Sequence, residues 1–269
     1  MNYYLIQPEF DKWKRAILIE WLIEYSRNFN IDDFKIRQCT IHQAIIILDK
    51  YLTEQSVKMS DLQAIALMSL LLSCKIEEIQ FITIPDIVTS IYNLYSTDYL
   101  INIEKEILQK LNYKLYYDTV YQYINAYYMD NDMPYDHYYL ACCLSTILLM
   151  KIDYTLIHPH IIGEKLIDFI ALLQLNQSVI ETVINCDIIY TYIYFSWKEY
   201  ISLGYTSIRE YYLNNKNFDI FSIVIPKIKS NYDIDTFQLK NHLNKLSNIK
   251  LMPVNLPNIK EYSKKIFDV

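Results

Sequence analysis

Glycine is almost absent from this chain, with two residues in 269, and proline occurs only seven times. Because glycine serves positions that require a positive φ angle, its scarcity disfavours a turn-rich β-sandwich and favours a helical chain. Tyrosine, by contrast, reaches 27 residues. Tyrosine also favours strands, so the periodicity of the apolar residues, rather than propensity, must decide the secondary structure.

A basic stripe is also lacking. The formal net charge is −6 at pH 7, and this acidic balance argues against direct nucleic-acid binding. The first residues show neither the basic region nor the apolar segment of a signal peptide. The longest apolar stretch, residues 65–74, is too short to span a bilayer, so we expect no membrane partner.

The five cysteines include no Cys-x-x-Cys pair, and their odd number predicts reduced thiols in an intracellular, reducing compartment. Cys142 and Cys143 are adjacent in a helical pattern and are interpreted as core thiols. His158 and His160 lack further ligands at a metal-binding spacing, which predicts a helix start rather than a metal site. Glycine-rich phosphate loops and the short motifs of zinc proteases and serine hydrolases are missing, so we expect neither catalysis nor a cofactor.

Helical periodicity predicts two groups of five helices, joined near residues 113–118. We predict N-caps at Asp32 or Asp33 for the second helix and at Ser60 for the third. The third helix is apolar nearly all round, which is typical of a helix enclosed by others. The predicted helices span about residues 13–25, 34–53, 62–75, 84–95, 98–111, 119–129, 138–150, 159–173, 179–184 and 188–203, with shorter helical patterns at 207–212 and 238–246.

Four segments of the first half resemble, in order, the motifs of a cyclin box. Residues 14–22 resemble its opening motif, and residues 48–52 resemble the end of its second helix. Residues 74–79 resemble the Lys-Phe/Tyr-Glu-Glu segment, and residues 103–113 resemble the fifth-helix motif. Residues 207–212 resemble a segment that ends the second fold in mitotic A/B-type cyclins.

The resemblance implies an all-α chain of tandem cyclin folds, which are two five-helix bundles. It implies a regulatory subunit, rather than an enzyme, that binds and activates a cyclin-dependent protein kinase of the mitotic type in the nucleus and cytoplasm. The alternatives are a transcription-type cyclin acting with an RNA polymerase-directed kinase, a non-activating cyclin-fold scaffold, and a transcription factor IIB-like protein. The predicted divisions are an N-terminal segment at 1–10, an N-terminal cyclin box at 11–114, a C-terminal cyclin fold at 115–205 and a C-terminal extension at 206–269.

The resemblance also implies which residues bind the kinase. Lys75 and Glu104 match family positions that hydrogen-bond backbone groups around the mobile αC helix of the kinase. Charge-assisted hydrogen bonds at a desolvated centre are strong, so we expect this pair to dominate binding. The other matched kinase-contact positions are Leu72, Ile76, Glu77, Glu78, Ile79, Leu108 and Tyr113.

Two further sets of residues match family positions. Arg15 and Asp49 match an ion pair that links the first and second helices, and we expect them to be structural. The groove in which some cyclins dock Arg-x-Leu peptides corresponds here to Leu18, Trp21, Glu24 and Gln63. Lys14 stands where the family has Met, and its charge opposes an arginine-bearing peptide.

Overall fold

The structure, a computed structural model, describes residues 6–7, 10–29, 35–80, 82–131, 133–151, 154–155, 157–175, 177–216, 218–223 and 225–226. All regular secondary structure in these residues is helical, which confirms the all-α prediction. The helices are α1 (Lys12–Asn28), α2 (Gln38–Glu54), α3 (Leu62–Glu77), α4 (Ile84–Ser90), α5 (Thr97–Lys110), α6 (Val120–Asp130), α7 (Tyr135–Leu149), α8 (Pro159–Leu172), α9 (Gln177–Cys186), α10 (Ile188–Ser202) and α11 (Ser207–Lys216).

The chain divides into two compact units, Met1–Ile234 and Asp235–Val269, and every described residue lies in the first. The predicted helix at 238–246 and most of the predicted C-terminal extension therefore lie outside the described residues. The division of the remaining chain at residues 114–115 and 205–206 stays a prediction.

Within the first unit, α1–α5 and α6–α10 form the two predicted groups of five. The central helix α3 contacts α1, α2 and α5, and α8 contacts α6, α7 and α10 in the second group. The segment Met59–Glu77 is long and apolar enough to cross a membrane, contrary to the expectation from residues 65–74 alone. The fold buries 67% of its most apolar window, as expected for the core helix of a bundle.

A carboxylate from a distant part of the chain caps α2. This helix begins at Gln38, later than the cap predicted at positions 32–33, which lies outside the described residues. Glu78 Oε1 accepts hydrogen bonds from the Arg37 backbone N–H at 2.9 Å and from Thr40 Oγ1 at 2.5 Å. Glu78 therefore satisfies backbone and side-chain donors where α2 starts.

The predicted cap of α3 at Ser60 is wrong. Ser60 lies inside a 3₁₀ turn, Met59–Asp61, and its hydroxyl donates to the Asp61 carboxylate at 2.8 Å instead of capping the helix. A true capping box begins α4, where Thr83 and Asp86 exchange side-chain and backbone hydrogen bonds.

Two turns of the first group place non-glycine residues in the left-handed region. Tyr92 and Asn93 have φ angles of 54° and 59°, and Asn112 and Tyr113 have φ angles of 50° and 58°. The N–H groups of Asn93 and Tyr113 each donate at 2.9 Å to the carbonyl five residues earlier. The first of these turns ends α4 at Ser90, before the predicted end near residue 95.

One of the two glycines permits close helix packing. A Cβ atom at Gly163 on α8 would lie 2.2 Å from Cδ1 of Tyr123 on α6. No side chain fits at that distance, so glycine lets the Tyr123 ring lie against the α8 backbone.

The predicted pair of Arg15 and Asp49 joins the two groups. Arg15 is 0% exposed, and its guanidinium donates from Nε to Asp49 Oδ1 at 3.0 Å and from Nη2 to Oδ2 at 2.5 Å. Its Nη1 also donates to the Leu149 carbonyl at the end of α7, at 2.7 Å. The guanidinium therefore connects α1 and α2 with the second group.

After α10, the chain returns to the first group, where α11 packs on α1. Glu20 Oε1 accepts hydrogen bonds from the backbone N–H groups of Thr206 at 3.0 Å and Ser207 at 2.8 Å. Arg27 forms an ion pair with Glu210. Burial raises the pKa of Glu20, although these backbone hydrogen bonds act to lower it.

Candidate functional site

The structure brings Lys75 and Glu104 together. Lys75 Nζ, in the last turn of α3, donates to Glu104 Oε1 on α5 at 2.5 Å. The Lys75 side chain is 39% exposed and the Glu104 side chain 14% exposed. The pair is thus formed on the surface before any partner binds, and its ammonium remains accessible.

The helix pattern explains why these two groups meet. On α5, Ile103 and Ile107 are buried, and α5 packs against α3. Glu104 follows Ile103 and therefore lies at the edge of the buried face of α5. Lys75 lies in the last turn of α3, where the helix dipole favours a cation.

Large apolar side chains from the same motifs are exposed to solvent. Ile76 is 40% exposed, Ile79 is 79% exposed and Tyr113 is 71% exposed, while Leu108 is half-buried. The left-handed turn after α5 presents Tyr113 outward, at a conformational cost of about 1–2 kcal/mol for a non-glycine residue. Exposed apolar residues in the same two motifs as the ion pair are consistent with a surface that binds another protein.

Two of the predicted contact residues do not offer free surface. Leu72 is only 3% exposed because it packs in the core as part of α3. The Glu78 side chain is only 5% exposed because its carboxylate caps α2, so its observed role is structural.

Glu77 combines partial burial with an unused acceptor. Burial raises the pKa of Glu77, against the lowering effect of the Arg37 charge. Its Oε1 has no hydrogen-bond partner among the described residues. Because this oxygen is buried without a donor, it carries a desolvation cost within the fold.

The predicted docking residues lie on α1 and at the start of α3. Leu18 is buried at 7% exposure, so it belongs to the core rather than to a groove surface. Trp21 is half-buried, with its ring 5.7 Å from that of Tyr25, whereas Glu24 and Gln63 are exposed.

Sequence reasoning missed two apolar residues on α1. Trp13 is 46% exposed and Ile17 is 58% exposed, and both lie on the outer face of the helix. Together with Trp21 they recur every four residues, but the buried Leu18 and Leu22 share that spacing, so spacing alone could not have identified them. Ile17, rather than Leu18, supplies the apolar surface next to Trp21.

The histidines and adjacent cysteines occupy structural positions. His158 is the N-cap of α8, and its Nδ1 accepts from the His160 N–H at 3.3 Å, as expected for a helix start. Cys142 and Cys143 are buried in α7. Within the described ranges, no three His, Cys, Asp or Glu side chains come together as metal ligands.

Sequence comparison identifies similar proteins. Residues 1–116 match the family model of the cyclin N-terminal domain. A protein of Acanthamoeba polyphaga mimivirus, named as a serine/threonine-protein kinase, is 29% identical over 209 residues, which are 74% of this chain and 37% of the relative. Cyclin-B1-1 of Oryza sativa subsp. japonica is 26% identical, over 67% of this chain and 40% of the relative. G2/mitotic-specific cyclin-A of Drosophila melanogaster is 27% identical, over 64% of this chain and 32% of the relative.

The chain thus spans two fifths or less of the length of these relatives. Among solved structures, a viral cyclin from herpesvirus saimiri matches with a TM-score of 0.55 and 19% identity, over 77% of this chain and 88% of that one. The yeast RNA Pol II CTD kinase CTDK-1 complex contains a chain that matches with a TM-score of 0.51 and 16% identity, over 88% of this chain and 76% of that one. These likenesses confirm the predicted tandem arrangement of the fold.

Proposed function

Because the chain belongs to the cyclin-box family, we propose that it is a regulatory subunit that binds and activates a cyclin-dependent protein kinase. The observation that supports this proposal most directly is the preformed Lys75–Glu104 pair, with Ile76, Ile79 and Tyr113 exposed in the same motifs. We refer to these five residues as the kinase-binding surface.

The proposed mechanism is a shift of the kinase toward its active conformation. An active kinase needs its αC Glu paired with the lysine that orients ATP. A subunit that binds this arrangement more tightly than the inactive one raises its population. Lys75 has three N–H donors, of which one is directed to Glu104, so the remaining donors are available to a kinase backbone.

We propose that the kinase is of the mitotic type. Two of the matched relatives are named as a B-type cyclin and as a G2/mitotic-specific cyclin, and residues 207–212 form the start of α11. The match to a chain of the RNA polymerase II kinase complex is 16% identical and supports the fold alone. A mitotic regulator would act in the nucleus and cytoplasm, so we propose that location.

We propose a separate role for the outer face of α1, which is to dock short substrate peptides. Ile17 and Trp21 provide the apolar surface, and Glu24 provides an acidic group that favours an arginine. Lys14 is exposed on the same helix and disfavours that arginine. We therefore expect only weak binding of an Arg-x-Leu peptide, which Trp21→Ala abolishes.

The decisive experiment measures activation of cyclin-dependent kinases from the cell that makes this chain. Lys75→Ala combined with Glu104→Ala should lower activation at least tenfold, because each charge-assisted hydrogen bond is worth about 1.5–3 kcal/mol. The matched control is Lys151→Ala combined with Glu199→Ala, which removes another Lys–Glu pair of 2.5 Å from the second group. Full activation by a folded Lys75/Glu104 variant would contradict the proposal.

A further inference from the structure

The second group of helices contains a long stretch without any cation. Between Lys114 and Lys151, 36 consecutive residues include no Lys or Arg, four Asp and nine of the 27 tyrosines. This stretch forms α6 and α7, whose adjoining ends are separated by a short turn. Five of these nine tyrosines and three of the four aspartates belong to residues 127–139, around the turn between the two helices.

Tyrosine rings around this turn form a continuous cluster, in which neighbouring rings are tilted by 30° to 53°. The centroid of the Tyr128 ring lies 4.3 Å from that of Tyr138 and 5.8 Å from that of Tyr135. Tyr138 lies 5.5 Å from Tyr139, whose ring is 5.8 Å from that of Phe218. We call Tyr128, Tyr135, Tyr138 and Tyr139 the tyrosine platform.

Hydrogen bonds to side chains of α6 hold Tyr138, one ring of the platform, in position. The Tyr138 hydroxyl donates to Asn125 Oδ1 at 3.0 Å and lies 3.3 Å from the Tyr121 hydroxyl. Burial raises the pKa of Tyr138, so its hydroxyl stays protonated and remains a donor. Rings that are already ordered lose little conformational entropy when a partner binds.

The outer edge of the platform is exposed and acidic. Tyr135 is 67% exposed, Met129 is 53% exposed, and Asp136, the next residue along α7, is also exposed. The C-terminus of α6 carries a partial negative charge and the N-terminus of α7 a partial positive charge. Because α6 ends where α7 begins, these two partial charges offset each other. The exposed carboxylate of Asp136 therefore places a negative charge at this edge, and it attracts cations.

We propose that the tyrosine platform docks a basic polypeptide segment of a partner protein. Arginine or lysine side chains would lie over the ring faces, where the ring quadrupole attracts a cation, and would pair with the carboxylate of Asp136. Tyrosine is also enriched at the centres of protein interfaces. This docking is independent of the kinase-binding surface, which is built from the first group.

A peptide titration tests the proposal on the isolated 269-residue chain. The probes are fluorescein-labelled octa-arginine and octa-glutamate, followed by fluorescence anisotropy at physiological salt. We expect octa-arginine alone to bind, and Tyr135→Ala to weaken its binding about two- to fivefold, the range of an exposed cation–π contact. Tyr135→Phe should bind like the parent chain, because it keeps the ring.

The controls separate the platform from the general acidity of the chain. Tyr92→Ala removes a tyrosine that is 92% exposed in the first group, and Asp98→Asn removes an exposed carboxylate of α5. Both should bind octa-arginine normally, whereas Asp136→Asn should bind it more weakly. Equal weakening by the control variants, or unchanged binding by Tyr135→Ala, would overturn the proposal. The Lys75/Glu104 double variant should also bind the peptide normally, so the outcome is separate from that of kinase activation.

Discussion

Two ion pairs in this protein have similar distances but very different surroundings. The closest contact in both Arg15–Asp49 and Lys75–Glu104 is 2.5 Å. The Arg15 side chain is 0% exposed and donates to three oxygens, whereas the Lys75 side chain is 39% exposed and donates to Glu104. The first pair is therefore buried and serves the fold, whereas the second is exposed and can contact a partner.

The distance between the two charged groups of an ion pair therefore does not tell whether the pair is structural or binds a partner. A buried pair that loses one member leaves an uncompensated charge in the core, so its loss destabilises the whole protein. An exposed pair contributes little to stability because water and salt screen it. We therefore expect loss of the buried pair to reduce stability more, and loss of the exposed pair to reduce partner binding more.

The largest predicted effect is on the buried pair. Asp49→Ala leaves the Arg15 guanidinium inside the protein with the Leu149 carbonyl, and we expect it to lower the free energy of unfolding by about 3–5 kcal/mol. Urea denaturation followed by circular dichroism measures this change.

An apolar replacement of both partners provides the control. The double variant Arg15→Met with Asp49→Leu removes both charges together, so it should recover much of the lost stability. A double variant as unstable as Asp49→Ala would show that the hydrogen bonds themselves, rather than an unpaired charge, dominate the junction.

The resemblance to the cyclin box predicted both pairs, and local periodicity predicted most helices. The sequence did not predict the start of α2, since the group that caps it, Glu78, is 40 residues further along the chain than Gln38. Nor did it predict the end of α4, where Tyr92 adopts a left-handed conformation that tyrosine rarely adopts. Helical spacing also did not show which of Ile17 and Leu18 faces solvent, because the neighbouring helices decide that.

The exposed pair should behave in the opposite way to the buried one. Lys75→Ala combined with Glu104→Ala should change the free energy of unfolding by less than about 1 kcal/mol, because the ammonium is partly solvated. The same urea titration measures it, with Lys151→Ala combined with Glu199→Ala as a matched pair. A loss as large as that for Asp49→Ala would remove the distinction between the two pairs and make any loss of kinase activation a folding effect.

The smallest predicted effect concerns a carboxylate of intermediate burial. Burial raises the pKa of Glu77 above its ordinary value of 4.5, so the folded state holds this proton more tightly than the unfolded state. Its contribution to stability is therefore fully present below pH 4.5 and is lost as the pH rises through the raised value. Glu77→Gln should stabilise the fold at pH 7 by up to about 0.5 kcal/mol, and this gain should vanish in acid. Thermal unfolding at several pH values measures it, and a gain that stayed constant with pH would show that packing, rather than desolvation of the charge, is responsible.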